Sequence, residues 1–150
     1  MGLKEKIQED LTGAMKARDE KRSGTLRMVL AAIKNEEVAG KVARQLTDAE
    51  IITVLSREAK KRREAAEGFE AGGRLDRAED EKNEGKIIAE YLPAQLSEDE
   101  IKEMIKEAIA QTGAAGPAGM GQVMKVLSPK TAGRADGALV SALVKAALAN

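Results

Sequence analysis

Histidine and cysteine are both absent from this chain of 150 residues. Without histidine, no side chain has an ordinary pKa suited to general-base work near neutral pH. Without cysteine there is no thiolate nucleophile, no disulfide and no thiolate zinc cluster, a composition that fits a reducing compartment. The five serines, Ser23, Ser56, Ser97, Ser128 and Ser141, fall mostly at predicted caps, turns or helix positions, and no local pattern pairs one with a lysine base. Aromatics are nearly missing as well: Phe69 and Tyr91 stand alone and tryptophan is absent. Few bases could therefore stack on this protein, which argues against recognition of single-stranded sequence and for the reading of shape and phosphates. No apolar run is long enough to span a bilayer. The start, MGLKEKIQED, is charged from Lys4 onward, and Lys6 stands where a myristoylation motif has Ser or Thr. A cytoplasmic, soluble protein without membrane association is expected.

What is present points to helices. Hydrophobic residues make up 43% of the chain, and with so few aromatics the core must be Leu, Ile, Val, Ala and Met, which suit helix packing better than a sheet. The 25 Lys and Arg balance the 25 Asp and Glu, so any attraction for a polyanion must come from clustering rather than net charge. The length allows one ordinary domain or two small ones, burying roughly 70% of the unfolded surface.

Leu3, Ile7, Leu11 and Ala14 with Met15 recur at helical spacing, and Leu26, Val29, Leu30 and Ile33 define a second helix closed by Gly40. The boundary between the two lies around Glu20 to Gly24, although those residues can also be helical. Thr47 and Glu50 form a capping box that opens a third helix, with Asp48 in its first turn; Gly72 and Gly73 stop it. A fourth helix runs from about Leu75 to Leu92. Pro93 ends it, and Ser97 with Glu100 caps a fifth carrying Ile101, Met104, Ile105, Ala108 and Ile109. Thr112 to Gly119 reads as a loop. Val123 to Leu127 suggest a sixth helix ended by Pro129, and Leu139 to Leu148 a seventh capped by Asp136. The expected fold class is all-α, with an N-terminal helical domain over 1–93 and a C-terminal three-helix domain over 94–150.

Four segments could carry chemistry. GPAGMGQV, Gly116 to Val123, has the glycine content of a phosphate cradle but not the spacing of a P-loop, and it also reads as a plain turn. REAKKRREAAEGF places Arg57, Lys60, Lys61, Arg62 and Arg63 within two turns. They could meet phosphates, or form a solvated face with Glu58 and Arg62 paired at i,i+4. The acidic run from Asp76 to Glu84 offers oxygen ligands in principle, but its interleaved Lys and Arg favour a solvated helix face. Finally, SPKTAGRADGALVSALVK sets Lys130, Arg134 and Lys145 around a turn against a single acid, Asp136. Either this is a phosphate-reading loop or GRADG is simply a well-made helix start.

In fixed order, LRMVLAAIKNEE, LTDAEIITVLSREAKKRREAAEGFEAGGR, EYLPAQLSEDEI and MGQVMKVLSPKTAGRADGALVSALVKAAL resemble the YqeY family across nearly the whole chain. The C-terminal part of that family is similar to the tail domain of the B subunit of the tRNA-dependent amidotransferases. The resemblance implies a non-enzymatic module that meets tRNA or another folded RNA, or else an adaptor for an aminoacyl-tRNA synthetase or amidotransferase. A third implication is a component of a carbon–nitrogen ligase with glutamine as amido-N-donor, although nothing here is similar to the catalytic cradle of those enzymes. The resemblance carries Gly121, Lys125, Gly133, Arg134, Ala135 and Asp136 as motif residues. Lys125, Lys130, Arg134 and Lys145, with Lys60 and Lys61, are then the expected RNA contacts; Gly121, Gly133, Ala135 and Asp136 are structural. No catalytic residue, metal or cofactor is expected, and the sequence leaves the oligomeric state open.

Overall fold

The computed structural model describes residues 2–149, which form seven α-helices and one short 3-10 turn with no strand among them. The chain divides into two compact units, the first ending at Leu92 and the second beginning at Pro93. Among the described residues no helix is long and apolar enough to cross a membrane.

In the first unit, α1 (Leu3–Lys16) and α2 (Glu20–Glu37) form one helical hairpin, and α3 (Asp48–Ala71) and α4 (Leu75–Ala89) form a second. The break between α1 and α2 is made by Ala17, Arg18 and Asp19. Arg18 takes a left-handed conformation, with φ 59, and the Asp19 carboxylate then accepts from the Arg22 N–H at 3.1 Å to start α2. Glu20 to Gly24 are therefore helical. Thr47 and Glu50 complete a reciprocal capping box at the head of α3. The Asp48 carboxylate also accepts from the Leu3 N–H at 3.0 Å, which ties the start of α1 to the start of α3. The core is aliphatic: Ile7, Leu26, Val29, Ile33, Ile51, Leu55 and Ile88 are fully enclosed. Each such side chain contributes roughly 1.5–3 kcal/mol of burial.

Three expectations for this unit need correcting. Met15 does not extend the buried face of α1 but is 51% exposed, because Ile7 and Ala14 already define the stripe and Met15 falls beside it. Gly40 does not close α2. That helix stops at Glu37, whose buried carboxylate accepts from Lys4 at 2.9 Å and from the Leu46 N–H at 3.4 Å, folding residues 38–47 back as a loop. Helix α4 ends at Ala89 rather than Leu92. Beyond it Tyr91 turns inward, donating to Asp10 at 2.5 Å while Arg22 bridges Glu90 and the Tyr91 oxygen.

The second unit packs α5 (Glu98–Thr112), α6 (Met120–Thr131) and α7 (Gly137–Leu148) around Ile101, Ile105, Val123, Leu127, Val140 and Val144. Ser97 and Glu100 form a second capping box. Residues 117–119 form the 3-10 turn and lead directly into α6. Pro129 does not end α6 but lies inside it. Its missing N–H falls on the exposed side, where the orphaned carbonyl can be hydrated, while Leu127 and Thr131 continue the buried side to the helix end.

Candidate nucleic-acid interface

The turn between α6 and α7 is built from its own short-range chemistry. Gly133 takes φ 73, a left-handed conformation that a side chain would strain. Arg134 N–H and Ala135 N–H then close onto the Thr131 carbonyl at 2.9 and 3.1 Å. Ala135 packs on the core of the unit, and the Asp136 carboxylate accepts from the Ala138 N–H at 3.0 Å to open α7. Gly133, Ala135 and Asp136 thus set the path of the turn.

Arg134 is half-buried, and its Nε donates to the Ala94 carbonyl at 3.1 Å and its Nη1 to the Lys130 carbonyl at 3.4 Å. Two further bonds reinforce this clamp. Leu96 N–H donates to the Arg134 carbonyl at 2.9 Å, and the Gln95 amide donates to the Gly133 carbonyl at 2.9 Å. The segment leading into α5 is thereby fastened to the turn leading into α7. Arg134 is first of all a strut, with donors to spare because a guanidinium has five N–H groups. Gln95 and Ala94 were not singled out from the sequence. No spacing rule could have found them, since the contact spans 38 to 40 residues.

The three lysines of the second unit expected at the interface are all exposed, and none forms an ion pair among the described residues. Lys125 lies in the middle of α6. Lys130 occupies the last turn of α6 and Lys145 the last turn of α7, where the negative end of each helix dipole also favours a cation. Lys145 is eight residues beyond the start of α7, about 12 Å along the axis. The structure therefore spreads these charges along α6 and α7 rather than gathering them at the turn. Asp136 is the one acid in residues 113–150, and it is spent on the cap of α7.

Gly121 adds a second signal on the same face. It is exposed in the first turn of α6, four residues before Lys125, and a Cβ built there meets nothing within 4 Å. Glycine is a poorer helix former than alanine, and no internal contact explains its use in this first turn. Upstream, GPAGMGQV supplies the 3-10 turn and the first turn of α6, which begins without a side-chain cap.

The cations of the α3 run are used differently. Lys61 and Arg62 both bond Glu58, at 3.3 and 3.0 Å, and Arg57 lies 3.6 Å from Glu36. Lys60 and Arg63 are engaged as well. Arg62 also faces Glu81 at 3.5 Å and Glu84 at 3.7 Å, so part of the acidic run is turned onto a half-buried cation, while Lys82 bonds Glu70. Within the REAKKRR run, Arg57 thus reaches α2 and Arg62 reaches α4, while Lys61 pairs inside α3. Tyr91, one of the two residues able to stack on a base, is 8% exposed and bonded to Asp10, which leaves Phe69, half-buried with Arg77 over its ring at 5.9 Å.

An all-helical protein with a hairpin-built first unit and a three-helix second unit is the class these observations define. The family profile described as Yqey-like protein matches residues 4–148, and the chain belongs to the YqeY family. It is 34% identical over 92 residues to an uncharacterized protein of Schizosaccharomyces pombe, covering 61% of this chain and 72% of that protein. It is also similar to Altered inheritance of mitochondria protein 41, mitochondrial, of Clavispora lusitaniae, with 36% identity over 102 residues, covering 66% of this chain and 58% of that one. The protein of the same name in Eremothecium gossypii is 33% identical over 88 residues, covering 59% and 48%. The matches thus span about half of the length of these two mitochondrial relatives.

Proposed function

We propose that the protein is a non-catalytic binder of folded RNA, tRNA above all, and that its contacts lie on the outer face of α6 and the end of α7. The supporting observation is the contrast between two basic stretches: in the run on α3, Arg57, Lys61 and Arg62 bond carboxylates of the first unit, whereas Lys125, Lys130 and Lys145 are exposed and without ion-pair partners among the described residues. Gly121 would let an RNA backbone approach the helix one turn from Lys125, and the spare donors of Arg134 would face a phosphate beside Lys130. With Tyr91 buried, base stacking contributes little, and binding would read shape and charge. We propose binding rather than amide transfer because the sequence offers neither imidazole nor thiol for that chemistry. The proposed setting is the cytoplasm, where folded tRNA is abundant and cysteine is little needed.

The test is a salt series of binding to total cellular tRNA, comparing the wild type with a Lys125→Ala, Lys130→Ala double variant. If two phosphate contacts are lost, the variant binds at least about tenfold more weakly at low salt, and its log–log salt slope is shallower by about 2. A Lys61→Ala control retains both values. No binding by the wild type at low salt overturns the proposal.

A further inference from the structure

We propose that a trough between α5 and α7 is a docking site for an acidic amphipathic helix of a partner protein. The trough has a volume of about 270 Å³ and is lined by Lys102, Ile105, Lys106, Ile109, Leu143 and Ala147. Its floor is Ile105, which is 2% exposed, and its walls are the partly buried Ile109, Leu143 and Ala147. That space lies just under the ~300 Å³ at which small-molecule pockets begin, yet it accepts one or two large apolar side chains. Apolar anchors presented at helical spacing are how a helix enters such a groove.

The two lips differ in charge. On α5, Lys102 and Lys106 stand one turn apart. Lys102 makes only an exposed pair with Glu98 at 3.3 Å, with side chains 58% and 57% exposed, and such a pair is readily exchanged. Lys106 is exposed and forms no ion pair among the described residues. On α7 the lip is apolar: Leu139, one turn before Leu143, is 40% exposed, Ala142 and Ala146 are exposed, and Lys145 is the one charge in the helix.

This arrangement selects among occupants. An RNA could meet the lysines but would leave the aliphatic floor empty, and residues 93–150 contain no aromatic on which a base could stack. A second copy related by a twofold axis through the trough would set Lys102 and Lys106 against the same lysines. A helix with aliphatic anchors on one face and carboxylates one turn apart satisfies both lips. The site is separate from Gly121, Lys125 and Lys130 on α6, and Lys145, the proposed RNA contact on α7, is not among the residues that line it, so it stands or falls independently of RNA binding.

The probe is a short fluorescein-labelled helical peptide with Leu at every third or fourth position and Glu one turn apart, titrated into the full chain by anisotropy and methyl NMR. The expected result is saturable binding that shifts the methyls of Ile105, Ile109 and Leu143. A Lys102→Glu, Lys106→Glu double variant weakens it about tenfold or more, as reversal of two exposed charges requires. A peptide with Lys in place of Glu regains binding to that variant, an exchange that loss of structure could not produce. Absence of saturable binding, shifts confined to other methyls, or insensitivity to charge reversal overturns the proposal. So do shifts of the Ile105 and Ile109 methyls caused by tRNA, or by rising protein concentration without peptide.

Discussion

At the scale of single residues, Gly121 separates stability from function more cleanly than any charge does. Its helical position has open space around it, so Gly121→Ala removes backbone entropy from the unfolded chain without a clash. The variant is expected to stabilise the second unit by about 0.5–1 kcal/mol in urea denaturation. If RNA approaches that face, the same variant binds tRNA more weakly; unchanged affinity would remove Gly121 from the site. Arg134 shows the limit of residue-level reading. GRADG identifies a cation beside a turn, but the partners of its guanidinium, Ala94 and Lys130 carbonyls, are set by how α5 returns to the turn. Tyr91 is similar: its ring is visible in the sequence, whereas its bond to Asp10 joins positions 81 residues apart.

At the scale of elements, helix starts were the most legible features, because a capping box is a local exchange of hydrogen bonds over four residues. Thr47 with Glu50, Ser97 with Glu100, and Asp136 all form the expected caps. Helix ends were less legible. Pro129 is tolerated because the side of α6 it occupies is exposed, and Gly40 is bypassed because Glu37 finds Lys4 and Leu46. The pairing of α3 with α4 rests in part on Arg62 among Glu58, Glu81 and Glu84. Burial and the neighbouring Glu81 carboxylate push the Glu84 carboxyl above its ordinary 4.5. The folded state therefore holds this proton more tightly than the unfolded chain, and stability present at low pH is lost as pH rises through the folded value. Glu84→Gln is expected to stabilise the first unit at pH 7 by less than about 1 kcal/mol, since Glu84 is partly solvent-screened. In urea titrations, that gain should shrink to nothing below the ordinary carboxylate range.

At the scale of the whole molecule, the first unit should be sensitive to acid. The Arg44 guanidinium and the Thr47 N–H hold Glu50 at about 2, Lys4 holds Glu37 below its ordinary value, and the Tyr91 hydroxyl does the same for Asp10. Each group has a depressed folded pKa, so its contribution is complete above the unfolded value and disappears as pH falls through the folded one. Urea titrations followed by resolved NMR signals should show the first unit losing stability between about pH 5 and pH 2. Glu50→Gln keeps a capping-box residue but removes the charge opposite Arg44, so it should flatten that pH dependence. An unchanged slope would mean that Glu50 does not carry it.

Composition and periodicity by themselves determined an all-helical chain, its aliphatic core and most of its caps, because those depend on residues within one or two turns of each other. They also marked where cations concentrate. Only the tertiary structure decided which cations are spent. Arg62 is committed to carboxylates contributed by another helix, Arg134 to a carbonyl 40 residues away, and the trough between α5 and α7 exists only when the two helices lie side by side. The physical reason is the same in each case: a charge or an apolar face acquires its role from the group opposite it, and that partner is chosen by packing rather than by spacing along the chain.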